Sequence, residues 1–202
     1  MPSFSSLTIA IALATSIMAH PPTIVSRASP VPGCDGLGVG VFNSASRFKL
    51  GAVNTTLANA NITGAPLVVN SAGATNSATF WHLGTWAQYP DPLEYTSISL
   101  ANGTLVIEGD GAPPAQAAPV DAGNSLEWFS SSTADPAEGA QIYCGVPPPG
   151  NAGSPVLAVN GDTDSFSLCQ SSFENVVYYK AQPDHGYDFD SCYPVKLVFT
   201  FF

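Results

Sequence analysis

The stretch that decides the fold is TSISLANGTLVIEG, residues 96–109. Its centre, Asn102-Gly103, is a dipeptide that tolerates the positive φ angles of a two-residue type I′ hairpin turn. A two-residue turn fixes the register, so aliphatic side chains meet on one face and polar side chains on the other. The predicted pairs are Leu100 with Leu105 and Ile98 with Ile107.

The rest of the chain has the pattern of further short strands. Gly and Pro interrupt nearly every short window, and apolar residues do not keep helical spacing over any long segment. We count twelve candidate strands and predict an all-β fold. A β-trefoil-like barrel, closed and capped by hairpins in three pseudo-repeats, is favoured over a two-sheet β-sandwich. A second hairpin is expected between residues 155–159 and 165–169, and the last strand should place Val195, Leu197, Phe199 and Phe201 on one face.

The N-terminal segment has the composition of a secretory signal peptide. Residues 7–19, LTIAIALATSIMA, are mostly apolar but fall short of the ~20 residues that span a bilayer. We predict a signal peptide at 1–19, a Pro-rich arm or pro-segment at 20–33 and a single all-β domain at 34–202. The mature protein is expected outside the cell, secreted or in the cell wall, with no membrane association.

The charge balance restricts the partners. Only 10% of the 202 residues are charged, against roughly 25% in a typical domain, and the net charge is −10. Residues 50–179 hold 11 acidic residues and no Lys or Arg. Nucleic-acid binding needs clustered cations, so this composition excludes it and favours neutral partners.

The four cysteines fit an oxidising compartment. Their even number predicts two disulfides, and no CxxC spacing points to a metal site. Cys169 ends one apolar run and Cys192 begins the last, whereas Cys34 would otherwise leave the arm untethered. We therefore predict the pairs Cys169–Cys192 and Cys34–Cys144.

Three sequons offer N-glycosylation sites, at Asn54 (NTT), Asn61 (NIT) and Asn102 (NGT). Glycans at Asn54 and Asn61 would increase the solubility of a protein whose surface is poor in charge. Asn102 differs from them because it occupies the predicted tight turn.

Several motifs carry a resemblance to known proteins. FKLGAV (48–53), SISLANGTLVIEG (97–109), DSFSLC (164–169), NVVYYKA (175–181) and DSCYPVKLVF (190–199) look like small secreted proteins of filamentous, mushroom-forming fungi that are largely uncharacterised. WHLG and NGTL are more faintly similar to β-rich fungal cell-wall proteins. The resemblance implies secretion and a β-rich architecture, and it carries over no catalytic residue.

Motifs for catalysis are sparse. G-x-S-x-G, H-E-x-x-H and phosphate-binding loops do not occur in the sequence. A chain cleaved after residue 19 would begin at His20 and would resemble lytic polysaccharide monooxygenases, in which an N-terminal His and a second His, here His82 or His185, hold copper. A carboxylate-based glycoside hydrolase and a β-trefoil-type protease inhibitor are also compatible with the sequence.

An aromatic cluster suggests a different function. FWHLGTWAQYPDPLEY, residues 80–95, could present flat rings to a sugar, or its aromatics could simply cover the barrel end, with Trp81 directed into the core. We predict a secreted or cell-wall-associated, non-catalytic protein that binds neutral glycans without a cofactor or metal. The candidate glycan-binding residues are Trp86, Gln88, Tyr89, Asp91, Glu94 and Tyr95.

Overall fold

The computed structural model describes residues 31–85, 95, 97–109, 114–131 and 139–202. The predicted signal peptide and most of the Pro-rich arm lie outside these residues. Within them the chain forms twelve strands, which correspond to the twelve runs expected from the sequence, and two short 3-10 helices, Pro32–Cys34 and Pro149–Asn151. The strands are β1 (Ala45–Asn54), β2 (Ala65–Ala74), β3 (Ala78–Thr85), β4 (Ser97–Ala101), β5 (Thr104–Glu108), β6 (Ala115–Ala117), β7 (Glu127–Ser131), β8 (Tyr143–Val146), β9 (Val156–Val159), β10 (Phe166–Ser171), β11 (Glu174–Tyr179) and β12 (Asp188–Phe201).

The strands close into an antiparallel barrel, which confirms the all-β prediction. The closed ring runs β1-β4-β5-β6-β7-β3-β11-β10-β12 and returns from β12 to β1. This is a single closed sheet, unlike the two separate sheets of a sandwich. Outside the ring, β2 pairs with both β1 and β3, while β9 pairs with β12 and β8 with β9. No helix in the described part of the chain has the length and apolar character needed to cross a membrane.

The predicted β4–β5 hairpin is confirmed in turn and register. Asn102 and Gly103 both have positive φ, 48° and 81°, as a type I′ turn requires. The observed pairs include both of those predicted, and all four aliphatic side chains are buried. Local turn chemistry therefore fixed this part of the barrel.

The second predicted hairpin is wrong. Strands β9 and β10 do not pair with each other, because β12 lies between them and pairs with both. After β9 the chain turns tightly through a bridge between Val159 and Asp162 and then crosses to the far side of β12. Both runs have the predicted strand character, but their pairing is decided by a strand that comes later in the chain.

Inward-facing side chains of the strands fill the barrel. Trp128 is fully buried, and its indole N–H donates to the Leu105 carbonyl oxygen at 3.2 Å, joining β7 to β5 across the interior. Along β12, Val195, Leu197 and Phe199 are buried as predicted, whereas Phe201 lies at the rim and is 49% exposed. Rows of apolar residues at period two thus form one continuous core.

The N-terminal boundary of the domain differs slightly from the expected one. Val31 is buried, and its side chain packs against Gly103 in the β4–β5 turn. Residues 31–33, which the sequence assigned to the arm, therefore belong to the folded domain.

The two disulfides have the predicted pairing. Cys34–Cys144 joins the first 3-10 helix to β8, and Cys169–Cys192 joins β10 to β12. Around the second disulfide, Cys169, Val176 and Tyr178 form a small buried cluster, separate from the main core. Tyr187, from the segment between β11 and β12, packs on this cluster, so that segment covers the outside of the barrel.

Candidate functional site

A polar cluster lies on the outer face of the barrel where β3 changes its neighbour. His82 on β3 stands opposite Glu127 on β7, whereas Gly84, two residues further on, stands opposite Val176 on β11. On the other side of β3, His82 stands opposite Asn70 on β2. This change of neighbour therefore brings polar residues from four strands to one place.

Glu174, at the start of β11, is the centre of this cluster. One carboxylate oxygen, Oε1, lies 2.7 Å from His82 Nε2, and the other, Oε2, accepts a hydrogen bond from Asn70 Nδ2 at 2.8 Å. Asn70 and Glu174 are buried, and only 12% of the His82 side chain is exposed. A buried carboxylate needs such partners, because an unpaired one would carry a large desolvation cost.

The missing side chain of Gly84 makes room for this arrangement. A Cβ atom at Gly84 would lie 3.0 Å from both Asn70 Nδ2 and Glu174 Oε2. Glycine at this position therefore lets the amide and the carboxylate meet directly above the strand. The Asn70 Oδ1 atom is buried and has no hydrogen-bond partner among the described residues.

A second carboxylate lies beside the same cluster. Glu127 Oε1 accepts a hydrogen bond from the Ser125 hydroxyl at 2.7 Å. Burial raises the pKa of the Tyr178 hydroxyl, and a hydrogen bond with Ser171 lowers it by less. The nearby Tyr187, Glu127 and Glu174 raise this pKa further through their charges.

An aromatic pair lies further along the same outer face. Phe80 on β3 and Phe129 on β7 are directly opposite each other, with ring centroids 5.4 Å apart. Phe80 is 36% exposed and Phe129 is partly buried. Gln116 on β6 stands opposite Phe129 on its other side. We call Phe80 and Phe129 the phenylalanine pair.

Most of the glycan-binding loop predicted from the sequence lies outside the described residues, namely Trp86, Gln88, Tyr89, Asp91 and Glu94. Tyr95 is described, and it is 4% exposed. Its ring packs edge-on against Trp81 with centroids 4.8 Å apart, and Trp81 is buried as expected. Tyr95 is therefore part of the core, and the prediction that it belongs to the sugar-binding surface is wrong.

The first two sequons share one local geometry. Asn54 Oδ1 accepts a hydrogen bond from the Thr56 hydroxyl at 3.0 Å, and Asn61 Oδ1 accepts one from the Thr63 hydroxyl at 2.9 Å. Both asparagines lie in or beside the exposed connection between β1 and β2. Asn102 is exposed at the tip of its hairpin, where Ser44 Oγ accepts a hydrogen bond from the Asn102 backbone N–H.

The histidines considered for copper do not form a cluster in the described part of the chain. His82 contacts Glu174. His185 lies in the segment that follows β11, and its ring packs against Gly123 between β6 and β7. His20 lies outside the described residues. Among the residues described, no three His, Cys, Asp or Glu side chains are grouped in a way that could hold a metal ion.

Sequence reasoning identified His82 but missed Asn70, Glu127 and Glu174. Nothing local distinguishes these residues, since each is a single polar residue at a strand position or strand end. His82 and Glu174 are 92 positions apart, so only the closure of the barrel brings them together. The local sequence shows only that these polar residues alternate with apolar ones and so lie on the outer face of their strands.

Comparison of the chain with protein-family models, with curated proteins and with solved structures found no significant match to any of them.

Proposed function

We propose that this chain is a secreted or cell-wall-associated, non-catalytic protein that binds neutral glycans on the outside of its barrel. The observation that carries the proposal is the phenylalanine pair. Two adjacent rings on the outer face of the barrel, tilted by 49° to each other, offer an apolar surface to the C–H face of a sugar ring. Polar side chains stand beside them for the sugar hydroxyls, Gln116 on one side and His82 and Glu127 one row further along.

The predicted loop is the second part of the binding surface in this proposal. Thr85 and Tyr95, the described residues on either side of residues 86–94, are both buried. Within that segment, Trp86 and Tyr89 supply the aromatic faces and Gln88, Asp91 and Glu94 the polar groups. Tyr95 no longer belongs to this set.

Export is supported by two observations in addition to the signal-like N-terminus. The two disulfides fit an oxidising compartment. The hydrogen-bonded, exposed sequons at Asn54 and Asn61 would accept glycans at the surface. Both features are expected of a protein that works among extracellular polysaccharides.

The finer fold proposed is a β-trefoil. The pairings β2–β3, β6–β7 and β10–β11 would form the three caps, and the pairings β1–β4 and β9–β12 are compatible with it. The middle repeat would pair β5 with β8, and there the Tyr143 N–H donates to the Gly103 carbonyl oxygen beside β5. An experimental structure with a β5–β8 ladder would support the trefoil, and one with these strands apart would contradict it.

Pull-down of the purified protein on insoluble neutral polysaccharides, followed by titration with soluble oligosaccharides, tests the function. We expect Phe80→Ala/Phe129→Ala to weaken binding by about tenfold or more, since hot-spot aromatics dominate such contacts. Phe173→Ala is the matched control, because Phe173 is equally apolar and 87% exposed but belongs to the β10–β11 turn. Trp86→Ala tests the loop separately.

Two results would contradict the proposal. One is the absence of binding to every neutral polysaccharide tested. The other is binding that survives the Phe80/Phe129 and Trp86 changes as well as it survives Phe173→Ala.

A carboxylate-based hydrolase is the second candidate, because His82 contacts Glu174 and stands opposite Glu127 in the β3–β7 ladder. Glycoside hydrolysis uses two carboxylates of different environment, and here one is buried and the other exposed. Release of reducing sugar from oligosaccharides, lost in both Glu174→Gln and Glu127→Gln, would support this candidate. Binding without any turnover would support the non-catalytic protein instead.

A further inference from the structure

A cavity of about 530 Å³ opens at the rim of the barrel, where the end of β12 meets β1 and β4. Its volume falls in the range of sites that hold small ligands. The lining is mixed, with two hydroxyls, two cations and two aromatic rings. The lining residues are Ser46, Arg47, Lys49, Ser97, Phe201 and Phe202.

The two cations of this cavity are unusual in the chain. Of the four Lys and Arg residues that are described, Lys180 pairs with Asp162 and Lys196 with Asp164. Arg47 and Lys49 have no carboxylate within ion-pair distance among the described residues. In a protein of net charge −10, the unpaired positive charge of the described residues is therefore concentrated at one cavity.

The backbone is bent to direct these side chains. Arg47 has φ 22°, in the left-handed region that non-glycine residues rarely adopt, and the β1–β4 register shifts between Ala45 and Phe48. Consecutive strand residues normally face opposite sides, but this bulge lets both Ser46 and Arg47 line the cavity. Strained backbone of this kind tends to occur at functional sites.

The aromatic wall is accessible. Phe202 is 74% exposed, and the Lys49 ammonium lies 5.2 Å from its ring centroid. Phe201, also in the lining, packs against the core rings Phe48 and Phe199. A ligand that enters would meet the Lys49 ammonium and the Phe202 ring side by side.

We propose that this cavity binds a hexuronate, a sugar ring that bears a carboxylate. The guanidinium of Arg47 can hold a carboxylate through two parallel hydrogen bonds, and Lys49 adds a second positive charge. The phenylalanine rings accept the C–H face of the sugar, and the hydroxyls of Ser46 and Ser97 are within the lining for its hydroxyl groups. The acidic remainder of the surface repels long polyanions, so the site takes a short or terminal uronide.

Neither member of the phenylalanine pair lines this cavity, so the uronate proposal does not rest on the proposed function. Its failure would leave neutral-glycan binding intact, and the reverse also holds.

Calorimetric titration of the purified full chain with trigalacturonate tests the proposal, with neutral galactotriose as the matched ligand. We expect saturable binding of trigalacturonate that weakens as ionic strength rises, and no binding of galactotriose in this cavity. Arg47→Gly/Lys49→Gln should weaken trigalacturonate binding about tenfold or more. Glycine accepts the positive φ of residue 47, so this variant keeps the bulge.

Lys180→Gln is the control variant, because it lowers the positive charge of the protein away from the cavity. Its affinity for trigalacturonate should stay within about twofold of the parent. The proposal is overturned if trigalacturonate does not bind, if galactotriose binds equally well and loses as much affinity in Arg47→Gly/Lys49→Gln, or if the cavity variant and Lys180→Gln behave alike. Binding of benzoate with displacement of trigalacturonate would overturn the sugar specificity.

Discussion

His82 Nε2 and Glu174 Oε1 lie 2.7 Å apart at the point where β3 leaves β7 and meets β11. The same carboxylate accepts the Asn70 amide, so one buried group holds three strands together on the outer face of the barrel. No other side chain among the described residues bonds this carboxylate, so these two contacts are the ones that offset the desolvation cost of burying it.

Glu174→Gln should therefore destabilise the fold. A glutamine amide has no charge and only one acceptor oxygen, so while that oxygen accepts from Asn70 its amide N–H must donate to His82, which forces the neutral imidazole into the tautomer whose Nε2 accepts. We expect the free energy of unfolding to fall by ~1–3 kcal/mol, measured by urea denaturation. The control is Glu127→Gln on the same face, where the side chain is exposed and a change within about 0.5 kcal/mol is expected. Equal losses in the two variants would refute this role of Glu174.

Trp128 and Phe129 are neighbours in sequence with opposite tasks. Trp128 is fully buried and bonds the Leu105 carbonyl, so Trp128→Phe should cost ~2–4 kcal/mol through lost packing and an unsatisfied acceptor. Phe129→Ala, on the outer face, should cost less stability and act mainly on glycan binding. Thermal unfolding of both variants checks this order, and a larger loss in Phe129→Ala would contradict the assignment of faces.

The two disulfides should contribute unequally. Cys34–Cys144 encloses a sequence separation of 110 residues and Cys169–Cys192 one of 23. In the chain-entropy model, the longer loop is worth ~5 kcal/mol and the shorter ~3 kcal/mol. We expect paired Cys→Ala replacement of Cys34 and Cys144 to lower the urea midpoint more than that of Cys169 and Cys192. The reverse order would show that packing of the segment before β12, rather than loop length, governs the effect.

Acid should weaken the turn between β9 and β10. Burial of Asp162 would raise its pKa, but hydrogen bonds from Ser165 and Asp164, together with the Lys180 charge, outweigh burial and hold the pKa below its ordinary value of 3.8. A lowered folded-state pKa stabilises the protein above the ordinary value, and this contribution is lost as the pH falls through the folded-state pKa. Unfolding free energies measured across this range should therefore drop below about pH 4.

Asp162→Asn should flatten part of that acid dependence, since the asparagine has no carboxylate to protonate. Asp190→Asn serves as the control, because its side chain is exposed and accepts no hydrogen bond from the described residues. If Asp162→Asn and the parent lose stability in parallel as the pH falls, the Asp162 turn is not the acid-sensitive element.

Secretory expression in a eukaryotic host should give glycans at Asn54 and Asn61. Enzymatic deglycosylation followed by intact-mass measurement would count them. Thr56→Ala and Thr63→Ala should each remove one glycan, because each changes the hydroxyl that the sequon requires and that bonds the asparagine. A glycan mass that is the same in the parent and in both variants would refute modification of this loop. The same measurement reports whether Asn102 is occupied.

The sequence by itself determined the strands, the β4–β5 turn, the buried face of β12 and the cysteine pairs. The strands, the turn and the buried face of β12 follow from signals carried by near neighbours, namely period-two alternation and the positive φ that Asn102-Gly103 accepts. The cysteine pairs follow from the even number of cysteines and the place of each along the chain. The sequence also determined an acidic middle region. It did not determine where the few Lys and Arg side chains of the protein would lie in the fold. Lys180 and Lys196 turn out to pair with Asp162 and Asp164, which the sequence left unassigned.

Only the tertiary structure decided which strands are neighbours and which polar residues meet. Strand β12 separates β9 from β10, the barrel brings Glu174 to His82 and Asn70, and the rim gathers Arg47 and Lys49 beside Phe202. Each of these contacts joins residues that are distant in the chain. Their cause is the closure of the sheet, which depends on the pairing of all the strands together and leaves no mark in any short stretch of sequence.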